Sequence, residues 1–303
     1  MARNNLDVWI PEEQGSTVLS TVAQTSAVEA LAAREPMSSD TKTVGVVNGI
    51  SVSTIAKGGA YPEDVTADSE LILQTRKFGT AIRMAEEDLA DSAVNVIANK
   101  QNEWAKSYAV QLDNAALATT AAANGTTVPF RSVYYALSQA DAGAGYAANA
   151  NIIKTVTATP ASYQNLSDVL AKVEGGAFNG ELVVIASPFF KSVFRSIKDT
   201  AGNPVFVQGL AGTPDTLFGY EVVWSRGART SATATAAPTG NHLLIVANKQ
   251  HLILGVRSGP ESFLIDGNTG ASALTDEAIL KMRARRAFQF GNPNAAAILE
   301  IVP

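Results

Sequence analysis

The sequence predicts an α+β fold in which two long β segments frame a long helix and an α/β block. Three observations support this prediction. Residues 43–84 contain two stretches of alternating polar and apolar residues around a Gly-rich turn, which is typical of an extended β-hairpin. The apolar residues that follow recur with the 3.6-residue period of a helix. Residues 277–302 alternate again on both sides of the turn sequence GNPN, which predicts a second hairpin.

Length and composition favour a protein that buries surface against copies of itself. The 303 residues suffice for one large domain or two ordinary ones with a sizeable core. Charged residues make up only 17% of the chain, against about 25% in average soluble domains, so fewer groups keep its surface in water. The net charge of −5 argues against tight binding to nucleic acid, which depends on basic patches. The absence of cysteine excludes disulfides, thiolate catalysis and Cys-ligated metals.

Residues 1–36 predict an N-terminal arm that is ordered only where it lies on another part of the protein. Apolar residues are sparse in a background of Ser, Thr and Ala, and Pro11 biases Ile10 away from helix. Met1–Trp9 lacks the apolar segment of a secretory signal. No run of about 18 apolar residues occurs that could span a membrane, so we expect no membrane partner.

The predicted hairpin has strands at Thr43–Ala56 and Glu70–Met84, joined by a polar tip at Lys57–Asp68. Neither strand has a fully apolar face, so its register is weakly specified unless a partner fixes it. A hairpin with so little apolar surface is not stable alone in water, and we expect its partner on another copy of the chain. The candidate contact residues in the tip are Lys57, Gly58, Gly59, Tyr61, Glu63 and Asp64.

The long helix is predicted from Ala85 to Thr120. Apolar residues and one glutamine recur at three- and four-residue steps: Val94, Ile97, Gln101, Trp104, Tyr108, Leu112 and Ala115. The acidic run Glu86–Asp88 suits the positive end of the helix dipole, and Ser92 offers a second start. From Ser92 the helix would be about 43 Å long. Asn124-Gly125 is predicted to stop it.

Residues 165–248 alternate between helix and strand patterns and predict an α/β subdomain. The predicted elements are a helix at 166–174, a strand at 181–186, a helix opened by Ser187 as cap and Pro188, and strands at 220–224 and 242–247. The segment Arg226–Asn241, rich in Ser, Thr, Ala and Gly, predicts an exposed and mobile loop.

Glu277–Phe290 shows the clearest alternation, and Ala295–Val302 is predicted to return beside it as the second strand of the hairpin. One face of Glu277–Phe290 is apolar except for Arg286. The other face carries the remaining contact candidates, Lys281, Arg283 and Arg285. These three cations can form a simple solvated face or an inter-subunit contact with an acidic patch such as Glu63-Asp64. Genome contact ranks third, because three charges give only weak, salt-sensitive binding.

No pattern of catalytic or cofactor-binding residues is recognisable. His242 and His251 are nine residues apart, on opposite faces of a regular strand, so we expect no shared metal or acid–base pair. Nucleophile-elbow, zinc-protease, phosphate-loop and dinucleotide patterns are absent from the sequence. We therefore predict no catalytic residue, no metal and no cofactor. An enzyme of unrecognised type, with the α/β block as its catalytic unit, is a distant alternative.

The order of these segments resembles that of the major capsid proteins of tailed double-stranded DNA bacteriophages, over nearly the whole chain. VWIPEEQG (Val8–Gly15) and Ala33–Val46 resemble the family's N-arm, and Ile72–Ser92 resembles the return of its extended loop into the spine helix. Ser187–Phe206 followed by Leu217–Ser225 resembles its axial domain, and Ala278–Ile301 its terminal hairpin. Each motif alone is loose, and the order and spacing carry the resemblance.

The resemblance implies a structural shell subunit with an N-terminal arm (1–40), an extended hairpin loop (41–84), a peripheral domain with the spine helix (85–164 and 249–303) and an axial domain (165–248). It implies self-assembly into pentamers and hexamers of an icosahedral or prolate capsid around weakly contacted double-stranded DNA. Portal, scaffolding and decoration proteins are further candidate partners. The expected location is the virion capsid, assembled in the host bacterial cytoplasm.

An encapsulin-like nanocompartment shell shares this fold and is the alternative. Two features depart from parts of the family. The arm-like sequence starts within the first ten residues, which implies either a separate scaffolding protein or a chain that begins after cleavage. Lys57 lies in the tip, but no motif assigns it to a covalent crosslink. We therefore predict non-covalent assembly.

Overall fold

A computed structural model describes most of the chain. The described residues are 25–46, 52–63, 69–85, 87, 95–158, 161–176, 178, 180–198, 215–265 and 276–303. The chain divides into two compact units. The larger unit comprises residues 24–78, 107–259 and 284–303, and the smaller unit comprises residues 1–23, 79–106 and 260–283. Runs of strands are interspersed with a smaller number of helices along the described chain, so the α+β class predicted from the sequence is confirmed.

The described helices are α1 (Ala27–Leu31), α2 (Val96–Leu117), α3 (Val133–Ser138), α4 (Tyr163–Glu174) and α5 (Phe190–Ser196). The strands are β1 (Ala33–Pro36), β2 (Thr41–Val46), β3 (Ser69–Gln74), β4 (Arg76–Ala85), β5 (Ile152–Val156), β6 (Leu182–Ala186), β7 (Thr216–Leu217), β8 (Tyr220–Trp224), β9 (His242–Asn248), β10 (Leu252–Ile265), β11 (Glu277–Phe290) and β12 (Ala296–Val302). Among the described residues they form a four-stranded sheet β1-β10-β11-β4, a six-stranded sheet β5-β12-β9-β6-β8-β7, and a two-stranded ribbon β2-β3.

The C-terminal strand β12 lies inside the six-stranded sheet. It pairs antiparallel with β9, from Ala296 opposite Ala247 to Ile301 opposite His242, and parallel with β5. The predicted hairpin of residues 277–302 is therefore wrong, because β11 belongs to the four-stranded sheet. The physical reason is burial. Every residue from Ala296 to Ile301 is buried, and such a strand fits between two neighbours inside a sheet.

The predicted helices and strands of the α/β block named above are present, but one helix start and the loop Arg226–Asn241 differ from the prediction. Helix α4 begins at Tyr163 behind a capping box made by Ser162 and Asn165, and its apolar face packs on the sheet. Ser187 does not cap α5, which begins at Phe190. The hydroxyl oxygen of Ser187 lies instead 2.8 Å from Nδ1 of His242, so it is unavailable to the helix.

The loop Arg226–Asn241 is held against α2, contrary to the expectation of an exposed segment. The side-chain amide of the buried Asn114 donates to the carbonyl oxygen of Arg229 at 2.8 Å. Its oxygen accepts bonds from the Ser231 hydroxyl at 2.7 Å and the Thr235 backbone N–H at 3.2 Å. One polar side chain in the helix therefore fixes a loop of small residues that sequence composition assigns to solvent.

The described part of the long helix is shorter than predicted. Ala85 ends strand β4, and Asn95 caps α2 by accepting the N–H of Ala98 at 3.0 Å, while Glu86, Asp88 and Ser92 lie outside the described residues. Its 22 residues span about 33 Å. Asn124-Gly125 does not end the helix, which stops at Leu117. It forms a separate turn in which Gly125 has a φ of +77°.

The predicted hairpin of residues 43–84 consists of two separate parts. Its second strand breaks at Thr75, so that β3 pairs with β2 in the ribbon and β4 joins the four-stranded sheet. Residues 52–56, predicted as strand, have no strand pairing, and Val52 exposes 94% of its surface. The weak alternation of this segment gives it no buried face that would fix a register.

Candidate assembly surfaces

The ribbon tip is the most exposed described segment. Lys57, Gly58, Gly59, Tyr61 and Glu63 all lie in the exposed stretch 52–63, whereas Asp64 lies outside the described residues. A tight turn shapes the stretch: the Gly59 N–H donates to the Ala56 carbonyl oxygen at 2.8 Å, and Gly58 has a φ of +83°. Tyr61 exposes 86% of its surface. Large apolar side chains in this position offer contact area to another molecule.

The ribbon itself also exposes apolar surface. Its strands pair in register from Thr41 opposite Gln74 to Val46 opposite Ser69. Ile72 exposes 57% of its surface, while its neighbour Leu73 is fully buried against the body of the larger unit. One face of the ribbon thus packs on the body through Leu73, with Val44 and Leu71 partly buried beside it, and the opposite face with Ile72 is exposed.

The basic face of β11 matches its prediction in geometry. The apolar face, Ala278 to Phe290 at alternate positions, is buried, and Lys281, Arg283 and Arg285 are half-buried on the other face. Arg283 already has partners: its Nε lies 3.1 Å from Oε2 of Glu261, and its guanidinium lies 4.8 Å from the centre of the Phe263 ring. Within the described part of the chain, the side chains of Lys281 and Arg285 make no hydrogen bond or ion pair. Their contact role stays a prediction.

The structure fixes the N-terminal segment at helix α1, an attachment point that the sequence did not predict and that we call the arm root. The buried carboxylate of Asp113 accepts hydrogen bonds from the Ser26 hydroxyl at 2.5 Å and the Ser225 hydroxyl at 2.6 Å. It also accepts the backbone N–H groups of Ala27 at 2.9 Å and Val28 at 3.1 Å. Burial raises the pKa of Asp113, and the four donors oppose that shift. Asp113 therefore ties α1 to α2 and to the Ser225 loop.

A second group of polar residues holds the other side of α1. Arg286, the residue that interrupts the apolar face of β11, is buried, and its guanidinium lies 2.8 Å from Oε1 of Glu29. The Tyr108 hydroxyl donates to the same oxygen at 3.0 Å. Burial, together with the negative charge of Glu29, raises the pKa of Tyr108. Arg286, which interrupts the alternating pattern, thus forms a buried ion pair with Glu29 that holds the arm root in place.

The two histidines have structural surroundings. His242 stacks on Phe189 with ring centres 4.4 Å apart, and burial followed by the charge of Arg229 lowers its pKa. His251 meets the Phe178 ring edge to face at 4.9 Å, and burial lowers its pKa as well. Over the described residues, no group of three or more His, Asp or Glu side chains is placed to hold a metal ion.

One further carboxylate is buried in the six-stranded sheet. Glu300 accepts hydrogen bonds from the Tyr134 hydroxyl at 3.0 Å and the Asn241 amide at 2.6 Å, and Lys154 Nζ lies 3.4 Å away. These partners satisfy the carboxylate within the chain. None of the described helices has the length and apolar character needed to cross a membrane.

One family profile matches nearly the whole chain, and several solved structures share its fold. The profile of the phage capsid family matches residues 7–301, and a search of curated protein sequences finds no match. The solved capsid of a native GTA particle superposes with a TM-score of 0.73 at 14% identity, covering 98% of this chain and 96% of that one. A chain from Mycobacterium phage Cain gives 0.70 at 19% identity over 100% and 98%. A chain from Mycobacterium phage Ogopogo gives 0.74 at 12% identity over 100% of both.

Proposed function

Because this chain belongs to the phage capsid family and is a subunit of a capsid shell, we propose that it assembles into pentamers and hexamers around a double-stranded DNA genome. One observation carries the proposal: Val52, Tyr61 and Ile72 of the ribbon and its tip are the three most exposed large apolar side chains among the described residues. Exposed apolar side chains of this kind are suited to contact with another molecule. In a shell, a neighbouring copy of the chain would cover these side chains.

The encapsulin-like alternative is not favoured. The matching family is that of phage capsids, and the solved structures that superpose on the chain come from phages and a GTA particle. The fold is that of the tailed-phage major capsid proteins, with a structural role.

Each part of the chain has a proposed duty in the shell. Residues 1–40 form the arm that reaches a neighbour, and residues 41–84 form the extended loop that lies over an adjacent subunit. Residues 165–248 form the axial domain at the centre of each capsomer. The peripheral domain takes residues 85–164 and 249–303. Strand β12 would link the two domains, because it pairs with β9 of the axial range and with β5 of the peripheral range.

The proposed contacts are non-covalent. With a net charge of −5 the chain would touch the packaged DNA weakly, which suits a container that must fill and empty. Portal, scaffolding and decoration proteins would join the shell as separate partners. Assembly would take place in the host bacterial cytoplasm, and the end location of the subunit is the virion capsid.

Deletion of residues 57–68 tests the proposal. We expect the variant to fold, with circular dichroism and melting temperature close to the parent chain, because the described tip makes few contacts with the body. We expect negative-stain microscopy to show particles for the parent chain and none for the variant.

A matched control is Val156→Ser, which removes a half-exposed apolar side chain from β5 of the six-stranded sheet. It should assemble like the parent chain. Normal particles from the deletion variant, or its loss as insoluble protein, would contradict the proposed role of the tip.

A further inference from the structure

Both ends of the ribbon meet at one point on the body of the larger unit. Asp40 immediately precedes β2, and Thr75 immediately follows β3. The Thr75 N–H donates to the Asp40 carbonyl oxygen at 2.8 Å, and the Thr75 hydroxyl donates to Oδ1 of Asp40 at 2.9 Å. The ribbon therefore leaves the body through a closed base in which its two ends hold each other.

An arginine ties this base to the four-stranded sheet. Arg257 of β10 forms an ion pair with the carboxylate of Asp40. The Arg257 side chain is only 25% exposed, whereas the Asp40 side chain is 79% exposed. Arg257 is therefore held in the body, and Asp40 lies at the end of the ribbon. We name Asp40, Thr75 and Arg257 the clasp.

Apolar and polar contacts support the clasp from below. Leu73 of the ribbon packs with Met37, Ile253 and Ala287 in a small buried cluster. A Cβ at Gly255 would clash with the Met37 sulfur, so the glycine makes room for that side chain. On the other strand, Lys42 Nζ reaches Oε2 of Glu35 at 2.7 Å and thereby links β2 to β1. Each contact restrains rotation of the ribbon about its base.

The geometry makes the ribbon a lever. Its six paired positions extend about 20 Å beyond the clasp. A rotation of about 10° at the base moves the far end by about 3 Å, which is enough to break hydrogen bonds at a contact. The angle at which the ribbon leaves its base therefore determines where the exposed tip can contact another molecule.

We propose that the clasp of Asp40, Thr75 and Arg257 sets the angle of the extended loop, and that this angle selects the curvature of the particle that the subunits form. The second half of the proposal depends on the proposed shell function, and the first half does not. The clasp residues act as positioning residues, because they need not touch the neighbouring copy themselves.

The first experiment measures the angle in the free subunit. The chain contains no cysteine, so Gly45→Cys on the ribbon and Ala171→Cys on α4 can be spin-labelled selectively. A side chain at Gly45 meets no atom within 4 Å, and Ala171 is exposed. Double electron–electron resonance should give one narrow distance distribution. In each of the single variants Asp40→Ala and Thr75→Val, this distance distribution should broaden. The ratio of molecules with a clasped ribbon to molecules with a released ribbon should fall by about fivefold.

The matched control is Glu181→Ala, which removes an exposed ion pair with Lys249 in the six-stranded sheet. It should leave the distribution narrow. The charge-swapped variant Asp40→Arg, Arg257→Asp should recover part of the narrow population, because it restores the ion pair. An unchanged distribution in Asp40→Ala and Thr75→Val would overturn the clasp, whatever the particles look like.

The second experiment examines assembly of the same variants without labels. The parent chain and Glu181→Ala should form particles of one diameter, and the clasp variants should form particles of mixed diameter or open sheets. If variants with a broadened distance distribution still form particles of one diameter, the ribbon angle does not select the curvature of the particle. Absence of particles from the parent chain itself would count against the proposed function and leave the angle measurement valid.

Discussion

The ribbon β2-β3 and the six-stranded sheet use similar β-branched and aliphatic residues but bury them differently. Every residue of β6 is buried, whereas β2 alternates between exposed and half-buried positions. The sheet obtains its stability from its own chain. The ribbon obtains its seat from Leu73 and the clasp, and leaves Ile72 and the tip uncovered. The difference separates residues that determine folding from residues that determine assembly, and each prediction below tests that separation.

The largest expected effect is on the sheet side. Phe190 is fully buried in the core of the six-stranded sheet, and Phe190→Ala should lower the free energy of unfolding by about 3–5 kcal/mol. Tyr61→Ala in the tip should change it by less than about 0.5 kcal/mol. Urea denaturation followed by fluorescence measures both. A tip substitution as damaging as the core one would erase the distinction.

The next effect concerns the arm root. Asp113→Ala leaves two backbone N–H groups and two serine hydroxyls without their acceptor, which should cost about 1–3 kcal/mol. Local opening should then speed trypsin cleavage after Arg34, which lies in β1. Asp168→Ala, on the outer side of α4, is the control and should leave the cleavage rate unchanged. Equal cleavage rates in Asp113→Ala and the parent chain would show that β1 is held by other contacts.

A smaller effect is expected for the basic face and the tip. Lys281→Glu and Glu63→Lys should each weaken assembly, by less than about 1 kcal/mol per contact, because exposed ion pairs are weak. The double variant should assemble better than either single one. Light scattering at several protein concentrations measures the threshold for assembly. If the double variant is worse than both single variants, the two groups do not meet.

The smallest effect is the pH dependence of the sheet. Burial lowers the pKa of His242 and His251, so the folded chain keeps them neutral while the unfolded chain takes up protons near the usual pKa. Stability is therefore complete above about pH 6.5 and falls as the pH drops below it. The ribbon contains no histidine and should not respond. Thermal unfolding between about pH 7.5 and 5.5 measures this, and His242→Asn with His251→Gln should flatten the slope.

Sequence patterns predicted which face of a strand is buried better than they predicted which strands pair with each other. The alternation of β11 was confirmed from Ala278 to Arg285, where one face is buried and the other is half-buried, whereas Ala287 on the second face is buried in the cluster with Leu73. The apolar pattern of β12 led to a wrong prediction of its partner strand. Apolar residues show that a strand is buried, but they do not show which strands lie beside it. Only the pairing with β5 and β9 resolves this.

Polar residues inside α2 were the main omission. Asp113 and Asn114 interrupt an otherwise apolar half of the helix, and that interruption was the available signal. Their partners could not be found from local sequence, because Ser26 and Ser225 lie 87 and 112 positions away from Asp113. Sequence placed the tip residues from Lys57 to Glu63 correctly on the surface. Their contact with another copy remains a prediction.

The position of β12 between β5 and β9 also bears on how the subunit is made. Residues 152–156 leave the ribosome well over a hundred residues before their partner, so β5 and β9 must wait for β12 to emerge. Long-range pairing of this kind is slow to form. A nascent chain therefore cannot complete the six-stranded sheet until residues 296–302 have left the ribosome. A subunit competent to assemble would exist only after that point, which keeps chains without β12 out of the shell.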